Sequence, residues 1–445
     1  MKILFILPAI GKKENEKYIG TWKMEPLTIA TLKALTPKEV TTLFFDDRIE
    51  NIDYNTQVDL VAITVETYTA KRAYKIADTF RKNGQKVLMG GYHVSSIPEE
   101  AKEHCDSIIK GNAETIWENV IKDLKNNQLK KEYVGCPGFS DKLPDRSIFK
   151  GKKYLPISLI ETGRGCPNSC EFCSISSYYC KKYVPRNIES IVAEIKQVKH
   201  KIIFFVDDNI FAKKDHLKEI CKAITPLKVG WTSQATLAVA QDDELLKLVK
   251  KSGCQALLIG FESLDKNNLD QMNKSWNYKI GETEKLINKI HKIGIGIYAT
   301  FVFGFDYDDP EHFDNTIKFA LKQKFFYAAF NHLLPFPGTA LYARLKKENR
   351  LLYDKWWLKD GYKYGDIPYK PLKMSPENLK QFCANARHKF FSPINIFKRG
   401  IEQFKRNKDL ILLYIFFTQN FNLLREIDEK LNLPVGSGLD YANKK

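Results

Sequence analysis

Gly163-Arg164-Gly165-Cys166-Pro167-Asn168-Ser169-Cys170-Glu171-Phe172-Cys173 is the stretch on which the reading of this chain turns. Its three cysteines are separated by three and then two intervening residues, just after the apolar run Tyr154 to Ile160. Such a loop at a strand end can turn three thiolates toward one point. Thiolates are soft donors that suit zinc or iron–sulfur. A tetrahedral zinc wants a fourth N or S ligand, which Cys180, seven residues on, can supply by counting alone. A four-iron cluster held by only three cysteines instead keeps one iron open for a small molecule.

The 445 residues are enough for two or three domains, and 44% apolar with 28% charged residues is ordinary for a folded protein. The nine cysteines, with Met1-Lys2 leading straight into the strand-like run Ile3 to Leu7, speak for a reducing cytoplasm rather than a disulfide framework. No apolar stretch reaches the roughly 20 residues that span a bilayer. The net charge of +17 attracts phosphates, anionic lipid or nucleic acid, unless it reflects only a lysine-rich composition.

Upstream of the loop, strand-length runs (Ile3 to Leu7, Val40 to Phe45, Leu60 to Val65, Lys86 to Met89, Ser107 to Ile109) alternate with amphipathic segments. Those segments, Pro26 to Leu35, Ala70 to Asn83, Pro98 to His104 and Thr115 to Leu124, read as helices. The alternation predicts a doubly wound parallel sheet with its ligand crevice beyond the carboxyl ends of the strands. No G-x-G-x-x-G follows the first strand, so the nicotinamide fingerprint is missing. After a Gly/Pro-marked linker, six further runs alternate with helices: Ile157 to Glu161, Ile202 to Val206, Gly230 to Gln234, Ala256 to Glu262, Ile295 to Phe303 and Ala328 to Leu334.

With Phe172 directly before the last cysteine, the loop resembles the signature of the radical S-adenosylmethionine (SAM) superfamily. Gly90-Gly91-Tyr92-His93, Pro98-Glu99-Glu100 and Gly111-Asn112-Ala113-Glu114 resemble the cobalamin-binding domain that precedes many cores of that kind. The resemblance implies an α/β chain: a Rossmann-like cobalamin-binding domain over 1–132, a linker over 133–153, a partial (β/α)6 barrel over 154–339 and a mainly helical extension over 340–445. It implies a [4Fe-4S] cluster on Cys166, Cys170 and Cys173, and SAM near Phe172, Asp207, Asp208, Gln234, Glu262 and Gly304, although the family's usual GGE triplet is absent. It also implies cobalamin near Thr64, Glu66, Gly90, Gly91, Tyr92, His93, Gly111 and Glu114. Because D-x-H-x-x-G is missing, His93 is expected beside the corrin and not on cobalt.

The implied activity is reductive cleavage of SAM to a 5′-deoxyadenosyl radical that attacks an unactivated carbon. C-methylation or C–C bond formation on an apolar or lipid-like substrate would follow, fed by a flavodoxin- or ferredoxin-type donor. A radical SAM cyclase or oxidoreductase without methyl transfer, and a non-catalytic cobalamin/iron–sulfur binding protein, stay open. A tRNA methylthiotransferase needs three further cluster cysteines, whereas only Cys105 and Cys136 precede Cys166, so no specific nucleic-acid partner is expected.

In the extension, Leu341 to Tyr353 and Pro376 to Phe391 read as helices, and Trp356-Trp357 with Tyr362 to Tyr369 as either a substrate entrance or packing. Ile396-Phe397-Lys398-Arg399, Phe404-Lys405-Arg406 and Leu410 to Phe417 read as a basic amphipathic segment. It suits either peripheral contact with the inner face of a membrane or packing on the barrel. The tail from Gly436 reads as disordered.

Overall fold

The structure, a computed structural model, describes residues 1–13, 16, 19 and 23–438. The first group of apolar runs becomes β1 (Lys2–Leu7), β2 (Thr41–Asp46), β3 (Leu60–Thr64), β4 (Val87–Gly90) and β5 (Ser107–Gly111). They are joined in the order β2-β1-β3-β4-β5, every pair parallel. Ile3, Leu4, Phe5 and Ile6 are all fully buried, as a central strand covered on both faces requires. The helix Ala70–Lys82 covers one face through Ala73, Ile76, Ala77 and Phe80. Strand order reverses between β1 and β3, which opens the crevice there.

The linker expectation needs correction. Glu132–Gly135 forms β6, pairing with β5, so the sheet has six strands. Phe149 and Tyr154 pack into the core of this first sheet, where the Tyr154 hydroxyl donates to Asp46 at 2.9 Å. Residues that punctuate a sequence can still fill a groove beside a sheet edge.

Next come β7 (Ser158–Ile160), the two-residue β8 (Gly163–Arg164) and β9 (Val184–Pro185), then β10 (Ile202–Phe205), β11 (Gly230–Ala235), β12 (Cys254–Glu262), β13 (Gly296–Phe303) and β14 (Tyr327–His332). Six of these form a second parallel sheet in the order β14-β13-β12-β11-β10-β7, the partial barrel expected. Its register slips between Gly260 and Glu262, at the carboxyl end of β12. Crossover helices start on local caps: Asp242 accepts from the Leu245 amide, and Asp309 accepts from Glu311 and His312 ahead of Pro310.

The extension does two things. Helices Pro376–Phe390, Pro393–Asn407 and Leu410–Lys430 pack on the barrel core through Leu379, Phe390, Ile396, Phe416 and Ile427. The helix expected from Leu341 to Tyr353 ends at Lys347, because Asn349 takes a left-handed φ of 55°. The released chain carries Trp356 and Trp357 back into the core of the first sheet, fully buried, so these indoles are packing and not an entrance. Val435 donates to Tyr362 and Gly436 to Ile10, so the tail is held as far as Gly438. Residues 439–445, also expected to be disordered, lie outside the described residues.

Glu100 fastens this return. Its Oε1 accepts from Tyr74 (3.0 Å) and Trp357 Nε1 (2.9 Å) and lies 3.1 Å from His93 Nε2, while Lys355 reaches Oε2 at 3.1 Å. Burial opposes charge on Glu100, but the bonds from His93, Trp357 and Lys355 outweigh it and bring the carboxyl from 4.5 down to about 2. A carboxyl lowered on folding stabilises above its unfolded value, and that stability is lost as pH falls through the folded one. Between pH 4.5 and 2 the protein should therefore lose about 3 kcal/mol that Glu100→Gln does not lose. Acid titration of tryptophan fluorescence in both proteins measures the difference; superimposable curves would remove this role.

Candidate functional site

The cysteine loop is clamped at both ends. β8 and β9 pair antiparallel, Gly163 opposite Pro185 and Arg164 opposite Val184, closing the base of the loop. Gly165 has φ +81°, and a β-carbon there would lie 2.2 Å from the Lys182 carbonyl oxygen, so only glycine fits. Its amide donates to Asp208 at 2.9 Å. Further on, Cys173 N–H donates to the Cys170 carbonyl at 3.1 Å, and Glu171 is gripped by Arg344, whose Nη1 also reaches Asp306 at 2.8 Å. These contacts hold the loop in one shape.

Cys166, Cys170 and Cys173 line one wall of a cavity of about 220 Å³ over the carboxyl ends of β10 to β12. Phe172, Asp208, Asn209, Gln234, Glu262 and Lys274 line it too. Burial raises all three thiols above their ordinary value, Cys170 to about 11. A bound cation reverses that, since a coordinating thiol is deprotonated outright. Cys180 is exposed and not part of the wall. The zinc alternative therefore loses its fourth ligand.

Glu262 sits at the register slip with φ +62°, a strained setting for a residue with a β-carbon. The slip turns its carboxylate to Lys274 Nζ at 2.7 Å, and that ammonium also donates to the Gly260 carbonyl at 3.0 Å. The cavity thus offers charge of both signs. Two of the residues expected around it lie elsewhere. Asp207 is fully buried and accepts from the Thr162 amide (2.8 Å) and hydroxyl (2.6 Å); burial pushes its carboxyl up to about 8. It is a strut beneath the loop. Gly304 donates to Asp308 and accepts from the Tyr369 hydroxyl, both at 2.8 Å, so it faces the extension.

A second cavity, about 350 Å³, opens at the carboxyl ends of the first sheet. Thr64, Glu66, Gly90, Gly91, Tyr92, Gly111 and Glu114 rim it, and Ile29, Leu88, Ile109 and Trp117 form an apolar floor. A β-carbon on Gly91 would lie 2.7 Å from the Val65 carbonyl oxygen, so the loop approaches this closely only with glycine. His93 is the exception among the expected contacts. Both ring nitrogens are engaged, by Thr67 at 3.2 Å and Glu100 at 3.1 Å, and the ring is wholly buried away from the cavity.

The barrel closes this second cavity. Glu161, Arg164, Tyr178 and Tyr179 complete its wall. Arg164 binds Glu114 of the first domain and reaches Glu161 at 2.8 and 2.7 Å, with its guanidinium 4.2 Å from the Phe139 ring. The helix Ser174–Tyr178, directly after Cys173, presents Ile175 and Ser176 to the thiol cavity and Tyr178 to the other. One short helix is a shared wall.

A profile of the radical SAM superfamily matches residues 160–320, which hold the clamped loop and most of the barrel. Bacteriochlorophyllide d C-12(1)-methyltransferase of Chlorobaculum tepidum is 31% identical over 390 residues, covering 84% of each chain. The chain belongs to the cobalamin-binding radical SAM family. This radical SAM enzyme is also 28% identical to bacteriochlorophyllide d C-8(2)-methyltransferase of the same organism, over 74% of its own length and 78% of that protein's. Its fold matches that of the cobalamin-dependent SAM radical enzyme OxsB with aqua-cobalamin bound, at a TM-score of 0.68 and 14% identity over 98% of this chain and 77% of that one. The structure of the radical SAM methyltransferase TsrM of Kitasatospora setae with cobalamin and a [4Fe-4S] cluster bound shares the fold too, at a TM-score of 0.64 and 15% identity over 88% of this chain and 82% of that one.

Both cavities fit these groups on the residues present. Three soft thiols on one wall suit iron, and a glycine rim over an apolar floor suits a bulky heterocyclic ligand. Lys274, Tyr178 and Tyr179 line the two cavities without having been expected there. Nothing in their local pattern marks them. Arg164 stands inside the diagnostic stretch, and its position two residues before Cys166 was the only available signal.

Proposed function

We propose that this radical SAM enzyme methylates an unactivated carbon of an apolar, ring-containing or lipid-like substrate. The supporting observation is the shared wall: the helix Ser174–Tyr178 sets the thiol cavity and the glycine-rimmed cavity back to back. When bound, the cluster and SAM supply a carbon radical, and cobalamin supplies a methyl carrier. In this reading Cys166, Cys170 and Cys173 hold the cluster and leave one corner for SAM. Lys274 would offer a cation to the SAM carboxylate and Asp208 and Glu262 anions to its ammonium, with Gln234 and Phe172 on the same wall. Thr64, Glu66, Gly90, Gly91, Tyr92, Gly111 and Glu114 would hold cobalamin, and His93, committed to Thr67 and Glu100, would take no part. The tyrosines at the wall keep water from the reacting carbon. A flavodoxin- or ferredoxin-type protein delivers the electron.

The two relatives named for bacteriochlorophyllide support a substrate of tetrapyrrole size as the first to test. The reconstituted, cobalamin-loaded protein should form 5′-deoxyadenosine and S-adenosylhomocysteine together, in step with a methylated product, under a strong reductant. 5′-Deoxyadenosine without S-adenosylhomocysteine would shift the reading to a cyclase or oxidoreductase. Neither product, with any apolar substrate offered, would leave a binding protein.

A further inference from the structure

We propose that the paired helices Pro393–Asn407 and Leu410–Lys430 form a docking surface for an anionic lipid bilayer, whatever substrate the enzyme takes. Their inner face is fully used. Arg399 is buried and donates to the carbonyls of Phe325 (3.2 Å), Phe326 (3.1 Å) and Phe390 (3.2 Å) and to Asn420 Oδ1 (3.0 Å). Gln403 donates to the Lys324 carbonyl at 2.8 Å, and Ile396 and Phe416 lie in the barrel core. The helices therefore cannot roll. Whatever their other face carries is held toward solvent.

That face is apolar. Ile394, Phe397, Ile401 and Phe404 recur at helical spacing and are 68, 55, 59 and 40% exposed. A left-handed Lys408, φ 50°, reverses the chain, and Asp409 caps the next helix through the amides of Ile411 and Leu412. Ile411 and Tyr414 on that helix are 73 and 70% exposed. The ring of Phe397 lies 5.3 Å from that of Phe417 and 6.2 Å from that of Phe421, so the stripe continues across the hairpin. Among the described residues nothing covers it. Contiguous exposed aromatic and aliphatic surface of this kind marks an interaction site.

Charge decides the occupant. The exposed cations beside the stripe are Lys398, Lys405 and Lys408, since Arg399 is buried, Lys389 pairs with Asp314 and Arg406 pairs with Glu402. Lys398 and Lys405 follow the apolar stripe along one flank of the helix. With Lys408 at its end, they make no ion pair among the described residues. A second copy of this surface would bring lysines against lysines across a two-fold axis. An anionic headgroup layer instead meets the lysines while the stripe enters the acyl boundary. No helix among the described residues is long and apolar enough to cross a membrane, so this contact lies on one leaflet.

The test is flotation of the full chain with phosphatidylcholine vesicles containing phosphatidylglycerol, against phosphatidylcholine alone. Binding should require phosphatidylglycerol and fall with added salt. The double variant Phe397→Asp/Ile401→Asp should stay at the bottom of the gradient with circular dichroism and iron content unchanged. Lys398→Ala and Lys405→Ala, which leave the apolar stripe intact, should each weaken partitioning about fivefold. Flotation that is absent, equal on neutral vesicles or indifferent to these changes would overturn the proposal. So would a stable wild-type dimer that the double variant turns into a monomer, which would make a second copy the occupant.

Discussion

Cys173→Ala is expected to remove the cluster and all radical chemistry while leaving the fold in place. Two thiols would remain on the cavity wall, too few to hold an iron cube whose fourth corner is kept for ligand. The loop itself should persist. Its base is closed by the β8–β9 pairing, its middle by Gly165 N–H on Asp208 and its far side by the Glu171–Arg344 pair. The Cys173 amide keeps its turn to Cys170 whatever side chain it carries. Wild-type protein reconstituted anaerobically should hold about four irons per chain, with an electron paramagnetic resonance signal that SAM alters. The variant should show neither, form no 5′-deoxyadenosine and unfold within about 1 kcal/mol of wild type. Cys180→Ala is the control, since that thiol is exposed and outside the cavity. Loss of metal in the control would restore the mononuclear alternative.

Arg164→Met is expected to produce the largest loss of stability. The guanidinium lies between Glu114 and Glu161, each of the three less than a fifth exposed. Burial opposes its charge, but Glu161 and Glu114 raise its pKa above the ordinary arginine value. Burial also raises the Glu161 carboxyl, with Arg164 pulling the other way. Removing the cation leaves two buried carboxylates side by side, and breaking such a group by one partner costs about 3–5 kcal/mol. Urea unfolding should show that loss. The triple variant Arg164→Met/Glu114→Gln/Glu161→Gln should recover most of it, because the cost is uncompensated charge rather than lost volume. A single-variant loss under about 1 kcal/mol would mean that water screens the bridge. Glu114 belongs to the first domain and Arg164 to the cysteine loop, so the same variant should also weaken cobalamin retention.

The strands of both sheets were legible because each is a local apolar run of the right length with helix-period segments between. β6 was not. Glu132-Tyr133-Val134-Gly135 is short and contains one glycine and one charge, and only the free edge of β5 makes it a strand. The return of Trp356-Trp357 to the first sheet was equally invisible, since nothing near them names a partner more than 200 residues away, such as Glu100 at 2.9 Å.

Within the site, the cysteine trio with Phe172 is a pattern of one turn, and its meaning survives without knowledge of the rest of the chain. Asp207 and Asp208 show the opposite case. They are neighbours of one type, yet successive side chains leave a strand end in opposite directions. One becomes a strut under Thr162 and the other faces the thiols. His93 and Gly304 looked available by position alone, and their hydrogen bonds to Glu100 and Tyr369 commit them elsewhere.

The order of the elements and the chemistry of the cluster loop follow from local sequence, because both depend on residues a few positions apart. Folding in three dimensions sets which acids face the cavity, that Lys274 meets Glu262, that Arg164 joins two domains and that a single short helix separates two sites. Those outcomes depend on packing between segments far apart in the chain, where burial and charge pairing choose among residues that look alike locally.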